Sequence, residues 1–338
     1  MTTERTRLLR ALSTTKPASI TSLALETGIS EAAVEKHLAD LQLEGLQFRV
    51  ANQSGYQLAF AVDPIDEAQL KGALAAGGFP FVERVTLLDT VGSTNDWLTR
   101  RAAAGDMHGR ACITEFQSAG RGRRGRSWQG GPYRHLMLSL GWCFQREAAA
   151  LAGLSLSIGL ALARELRQLG GRNIGLKWPN DLLCPAGKLG GILVDLIPQA
   201  NAGSYAVVGV GINLDDSGLV GMAAGQRVTD LAAQLDGPLP QRSELAASVL
   251  TWLVQALARF DQLGFAGDRA EWNALDVFAG QKISAVVAGE KVSGCGEGAD
   301  ATGCYRLRRD DGSIATLIAG EVSLSLEHLV TGAQKSAP

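Results

Sequence analysis

The spacing of apolar and polar positions changes twice along the chain. Residues 1–62 carry helical spacing first, through Glu4 to Leu12, Ser19 to Glu26 and Glu31 to Glu44. In the last of these, Ala33, Val34, Leu38, Leu41 and Leu43 fit one helical face. Gly28 separates the second run from the third, and Ser30 stands where the third needs its cap. Gln47 to Val50 and Tyr56 to Leu58 then flank a polar turn, Ala51 to Gly55, a spacing that predicts a β-hairpin. Three helices, a glycine in the turn before the third, and a hairpin together predict a winged helix-turn-helix.

Ala61 to Pro64 reads as a linker, because Pro64 disfavours helix at Asp63. In residues 63–275 long helical runs mix with strands. The clearest helices are Ala148 to Leu169 and Ser243 to Leu263. The clearest strands are Met137 to Trp142, Ile174 to Trp178, Gly190 to Ile197 and Tyr205 to Leu214. Short turns join the last three, which predicts an antiparallel meander with an exposed edge, and an α+β fold rather than a doubly wound parallel sheet. Residues 276–338 hold only short strands between Gly and Asp turns: Lys282 to Val287, Lys291 to Cys295, Gly303 to Leu307, Ser313 to Ile318 and Glu321 to Leu326. Even spacing of short strands predicts a small barrel.

Composition narrows the function classes. A net charge of −2 with 46% hydrophobic residues excludes a globally basic nucleic-acid binder, and leaves room for a local basic patch. The five cysteines include no C-x-x-C pair, which argues against a zinc ribbon and a disulfide framework and for a reducing cytoplasm. Glu4, Arg5, Arg7 and Arg10 break up the N-terminus, so no secretory signal is read there. The most apolar stretch, Leu151 to Ala163, is too short to span a bilayer, and no membrane is expected. His37, His108, His135 and His328 lack metal-ligand spacing.

Five stretches carry candidate chemistry. Gly120 to Arg126 packs four arginines among three glycines, and Ser127-Trp128 follow. Glycines let backbone N–H groups approach an anion, and guanidinium forks suit carboxylate and phosphate oxygens. No Gly-Lys-Ser/Thr ends the run, so it is not a Walker A loop. A loop that orders over an anionic ligand and a solvated basic or RNA-binding tract both fit it. Lys177-Trp178-Pro179-Asn180-Asp181 ends a strand-like run, where a lysine and an aspartate suit a phosphate and its Mg²⁺, or form a plain Asn-Asp turn. Lys188 precedes Gly190-Gly191 at the head of the next strand. Gly92-Ser93-Thr94-Asn95 starts a helix, Asp96 to Ala104, and a helix N-terminus also suits polar or anionic groups. Gly209 to Asn213 alternates small residues, fitting close strand packing or a backbone-lined slot.

In this order the stretches resemble the biotin protein ligases of the bifunctional type, which also repress biotin genes. Ser93-Thr94-Asn95, Gln117 with GRGRRGR-S-W, KWPNDLL, Lys188-Leu-x-Gly and GxGIN run through essentially the whole chain. The resemblance implies a winged helix-turn-helix (1–62), a class II synthetase-like catalytic domain with a mixed central sheet (63–275) and an SH3-like barrel (276–338). It implies an ATP- and Mg²⁺-dependent enzyme that makes biotinyl-adenylate and passes biotin to a lysine on the carrier domain of acetyl-CoA carboxylase. By the same resemblance, Ser93, Thr94, Asn95, Gln117, Arg121, Gly122, Arg123 and Lys188 bind biotin, with Lys188, Arg123 and Arg121 catalytic. Arg123, Arg126, Trp128, Lys177, Asn180, Asp181 and Asn213 surround ATP, with Asp181 toward Mg²⁺. A homodimer formed on adenylate binding, and operator DNA touching Ser30, Lys36 and His37, are also implied. The segment around those three departs from the pattern: Glu31, Glu35 and Asp40 stand among them, and the hairpin turn has no basic residue, whereas phosphate contacts need Lys or Arg. The rival readings are a lipoate or octanoate ligase and a sensor without catalysis.

Overall fold

The computed structural model describes residues 3–50, 55–102, 105, 107–199, 203–215, 227–287, 290–318 and 324–326. The chain opens with α1 (Glu4–Ala11), α2 (Ile20–Thr27) and α3 (Glu31–Leu43). Thr3, Ser19 and Ser30 cap them by accepting from the N–H groups of Thr6, Ser22 and Ala33. Gly28 ends α2 in the left-handed region, at φ 68°. β1 (Phe48–Val50) and β2 (Tyr56–Leu58) pair antiparallel, with Phe48 opposite Leu58. Residues 51–54 of the expected hairpin turn lie outside the described residues. Leu8, Leu23, Val34, Leu38, Leu41 and Leu58 close a small core of their own.

After α4 (Glu67–Ala76) comes the sheet that carries the site. Its strands are β3 (Val85–Val91), β4 (Ala111–Gln117), β5 (His135–Phe144), β6 (Gly175–Lys177), β7 (Asp181–Cys184), β8 (Gly187–Pro198) and β9 (Ser204–Asn213). The order across the sheet is β3-β4-β5-β9-β8-β7-β6. β3 and β4 run parallel and every other pair is antiparallel, so the sheet is mixed. α6 (Leu154–Gln168) and α7 (Arg242–Leu263) cover one face, and α5 (Thr94–Ala102) the other. Alternation along β9 divides its residues between the faces. Ala206, Val208, Val210 and Ile212 enter the large core, while Val207 joins Leu98 of α5.

Four expectations need correction. The meander has an additional strand, β7, between the expected first and second, because the chain reverses at residues 177–181 and again at 184–187. β3 and β4 were not among the expected strands. The edge of the meander is not free: the Leu176 N–H donates to the Leu275 carbonyl (2.8 Å) and the Val277 N–H to that of Leu176 (3.0 Å). The helix expected over Ala148 to Leu169 is interrupted by Gly153, at φ 81°, which leaves a 3₁₀ turn, Ala148–Leu151, before α6. Together these form the one stretch among the described residues long and apolar enough to cross a membrane, yet more than half of it is buried in the protein.

α8 (Arg269–Ala274) leads to β10 (Lys282–Val287), β11 (Glu290–Ala299), β12 (Tyr305–Arg308), β13 (Ile314–Leu317) and β14 (Leu324–Leu326). They form an antiparallel sheet in the order β13-β12-β11-β10-β14. Residues 321–323, the start of the last expected strand, lie outside the described residues.

Polar clamps tie the parts together. Arg242 of α7 pairs with Glu115 of β4 at 2.5 Å, both buried, and donates to the Asp63 carbonyl (2.8 Å). Glu115 also accepts from the Ile65 N–H at 2.6 Å, so this pair fixes the linker. The three-helix unit meets the rest at Arg5, which pairs with Glu44 and donates to the Tyr133 hydroxyl at 2.9 Å, at Arg10, which pairs with Asp66 at 3.0 Å, and at Glu44, which accepts from the Thr90 hydroxyl at 2.6 Å.

Candidate active site

A cleft of about 500 Å³ opens where the N-terminus of α5, the Gly-Arg loop, the 177–181 turn, β8 and β9 converge. Every residue expected to bind biotin or ATP lines it: Ser93, Thr94, Asn95, Gln117, Arg121, Gly122, Arg123, Arg126, Trp128, Lys177, Asn180, Asp181, Lys188 and Asn213. The residues expected at DNA lie apart, on α3. Ser30 caps that helix, Lys36 is exposed, and His37 turns toward Glu4 of α1 at 3.5 Å.

One end of the cleft is uncharged. The Thr94 N–H (2.8 Å) and hydroxyl (3.1 Å) donate to Gln117 Oε1. Ser139 Oγ lies 2.7 Å from Thr94 Oγ1 and 2.6 Å from Asn95 Oδ1. Asn95 Nδ2 donates to Asp195 Oδ2 at 3.0 Å. Ser139 faces Gly209 across the β5–β9 ladder, and a Cβ on Gly209 would stand 2.2 Å from Asn95 Oδ1. A Cβ on Gly211 would meet the Trp128 ring at 2.6 Å. The small residues of β9 therefore make a slot, in which the Asn95 amide and the Trp128 ring lie against bare backbone.

The opposite end is cationic. Lys188 Nζ lies 2.7 Å from Asp181 Oδ1 and 5.9 Å from the centre of the Trp128 ring. Burial holds the Lys177 ammonium below the ordinary lysine value, partly offset by Asp181. Burial, followed by the neighbouring Arg124, also lowers Arg123, whose Nη1 donates to Asn180 Oδ1 at 3.3 Å. Asn180 Nδ2 donates to the Ile192 carbonyl at 2.9 Å. The Asn213 amide donates to the carbonyls of Lys188 (3.2 Å) and Thr229 (2.9 Å), and its oxygen sits 3.1 Å from His135 Nδ1. Asn180 and Asn213 thus hold the walls in register.

The Gly-Arg loop folds back on itself. The Gly122 N–H donates to the Arg126 carbonyl (2.7 Å), and the Trp128 N–H to that of Gly120 (2.9 Å). Arg124 and Gly125 turn the chain with φ of 58° and 70°. Arg121 Nη2 lies between Asp96 Oδ1 (2.7 Å) and Asp195 Oδ2 (2.6 Å). Sequence reading missed Ser139, Asp96 and Asp195. Ser139 and Asp195 sit inside strands with no local signature, and only the fold brings them to the site.

An uncharged, directional end and a cationic end beside one carboxylate suit a substrate with a neutral polar head and an anionic reacting end. The sequence profile of the biotin/lipoate A/B protein ligase family matches residues 88–213, from within β3 to the end of β9. The fold resembles that of the Aquifex aeolicus biotin protein ligase in complex with biotin and ATP, with a TM-score of 0.61 at 23% identity, over 72% of this chain and 99% of that one. The chain is 37% identical over 156 residues to the Mycobacterium tuberculosis biotin–[acetyl-CoA-carboxylase] ligase, covering 45% of this chain and 56% of that one. It is 34% identical over 298 residues to the Escherichia coli bifunctional ligase/repressor BirA, covering 88% of this chain and 89% of its relative. Matched along nearly the full length of both sequences, this chain belongs to the biotin protein ligase family, among the bifunctional ligase/repressors.

Proposed function

We propose that the cleft joins biotin to a protein lysine in two steps at one site. The neutral ring of biotin lies against Ser93, Thr94 and Gln117, and its carboxylate reaches Lys188 and Arg123. ATP lies toward Arg126, Trp128 and Lys177. A carboxylate oxygen of biotin attacks the α-phosphorus, the bond to the β-phosphate oxygen breaks, and pyrophosphate leaves. The lysine amine of the acceptor then attacks the anhydride carbonyl, AMP leaves with the bonding pair, and the amine loses its proton. Lys188 and Arg123 offset charge on the reacting oxygens, and the Gly-Arg loop beside the cleft limits the water that reaches the anhydride. The observation that carries this reading is the pairing of the neutral Gln117–Thr94–Ser139 end with the Lys188–Asp181 end in one cleft.

Mg²⁺ fits Asp181. The ion keeps water and phosphate oxygens as most of its ligands and needs only one or two carboxylates, and Asp181 faces the cleft beside Lys188. When bound, the metal neutralises phosphate charge. Asp181 would hold the metal, and Lys188, its partner at 2.7 Å, would offset charge on the reacting oxygens beside it.

The acceptor is a biotin-carrier domain such as that of acetyl-CoA carboxylase, met in the cytoplasm. The division we favour is 1–62, 63–275 and 276–338: a winged helix-turn-helix, a catalytic domain and an SH3-like barrel. The first unit gives the chain a repressor role, with Ser30 and Lys36 toward operator DNA and a homodimer formed on adenylate binding supplying two such units. Biotin-dependent ATP–pyrophosphate exchange tests the enzyme reading. Exchange driven by lipoate or octanoate and not by biotin would overturn it.

A further inference from the structure

Strand β5 serves both ends of the cleft. Alternation puts His135, Met137 and Ser139 on one face, opposite Asn213, Gly211 and Gly209 of β9. Ser139 bonds Thr94 and Asn95 at the uncharged end. His135 stands about 13 Å back along the strand, toward the end that holds Lys188. It is only 1% exposed. Its ring lies against bare backbone, since a Cβ on Gly130 would stand 2.4 Å from His135 Cδ2. Its carbonyl accepts from Arg242 Nη2 at 2.9 Å, and Arg242 is itself paired with buried Glu115. Ring and main chain of His135 are both fixed in place.

The neighbour of the ring decides where its proton sits. Asn213 Nδ2 donates to two carbonyls, those of Lys188 at 3.2 Å and Thr229 at 2.9 Å. Those bonds need the amide's NH₂ group, so its oxygen is what faces His135 Nδ1, at 3.1 Å. A carboxamide oxygen only accepts, so Nδ1 carries a hydrogen and donates it. The Asn213 amide in turn reaches Lys188, whose carbonyl takes both Asn213 Nδ2 and the Thr229 N–H, the latter at 2.9 Å.

We propose that His135 is a positioning residue for Lys188. Its Nδ1–H fixes the Asn213 amide, and that amide holds the main chain from which the Lys188 ammonium reaches into the cleft beside Asp181. With the donor removed, the Asn213 oxygen faces an apolar edge, the amide turns, and the Lys188 carbonyl loses a bond. A small displacement of a reacting group is costly in rate even where binding persists. That Lys188 acts on the carboxylate of biotin rests on the reading given under Proposed function; the proton on Nδ1 does not.

The test joins two measurements on the full chain. Long-range proton–nitrogen correlation spectra of histidine-labelled protein, with the His135 signals identified by their loss in a His135 variant, are expected to show a hydrogen on Nδ1. A bare Nδ1, with the hydrogen on Nε2, overturns the proposal. In biotin-dependent pyrophosphate exchange, His135→Phe keeps a ring and removes the donor. Its kcat is expected to fall about tenfold, while biotin affinity by calorimetry stays within about threefold of wild type. His135→Asn places an amide N–H where Nδ1 stood, and is expected to recover kcat to within about threefold of wild type. Where His135→Phe does not fold, His135→Leu removes the donor with a smaller side chain. Equal losses of kcat with and without the donor, or a loss of biotin affinity as large as the loss of kcat, overturn the proposal. Absence of biotin-dependent exchange in the wild type would count against the ligase reading alone, since the spectra need no substrate.

Discussion

The two ends of the cleft solve opposite problems. At the uncharged end, Gln117, Thr94, Ser139 and Asn95 answer one another with hydrogen bonds, and Thr94, Ser139 and Asn95 are almost wholly buried. At the cationic end, Lys177, Lys188, Arg123 and Arg126 share the cleft with Asp181 as partner, and burial disfavours the charge on Lys177 and Arg123. The first end is satisfied without a ligand and selects by direction. The second gathers four cations beside Asp181 among the described residues and gains when an anion enters.

The footing of the two ends differs as well. The uncharged end rests on β4, β5 and β9. The cationic end rests on the C-terminal sheet, where Trp178 Nε1 donates to the Gly303 carbonyl at 3.0 Å and the Trp178 ring lies against Tyr305. The Tyr305 hydroxyl donates to Asp276 at 2.7 Å, and burial pushes the Asp276 carboxyl up to about 6.

The contrast breaks most directly at Lys188. Lys188→Ala is expected to slow biotin-dependent pyrophosphate exchange about a thousandfold, the cost of one removed charge stabiliser, while biotin affinity by calorimetry falls only about tenfold, the loss of one of two cations at its carboxylate. Next in size is the footing. The native state holds the Asp276 proton more tightly than the unfolded chain, whose value is 3.8. This group's contribution to stability is therefore present below pH 4, falls as pH rises to about 6, and is level above that, a change of at most about 3 kcal/mol. Asp276→Asn is expected to remove that slope from urea unfolding midpoints measured between pH 4 and 7. At the uncharged end, Thr94→Val is expected to weaken biotin binding roughly tenfold, with kcat at saturating biotin near wild type. Ser139→Ala is the smallest, about fivefold in the same measurement, because it loosens Thr94 and Asn95 without removing either. An effect on kcat larger than on binding, in either of these two variants, would erase the distinction between the ends.

Local chemistry made much of this legible. The caps at Ser30 and Ser93, the alternation along β9 and the Gly-Arg run all act within a few residues, and the structure gathers every expected cleft residue at one place. The strand β7 was hidden because Asp181 to Cys184 follows a turn too closely to show its own period. β3 and β4 pair across an intervening helix, which nothing within either strand announces. The acids that meet the Gly-Arg loop could not be read from its own stretch, which contains none. Asp96, Asp195 and Asp181 arrive from α5, β8 and β7. The approach of His37 to Glu4 was likewise hidden, because Glu4 is brought there from α1 by the folding of the helical unit.

The most direct test of the central claim is the intact mass of a biotin-carrier domain incubated with this protein, biotin, ATP and Mg²⁺. A single biotinyl addition that requires ATP and is lost with Lys188→Ala is the predicted result. A carrier domain left unmodified, across several tried, by protein that binds both biotin and ATP would contradict it.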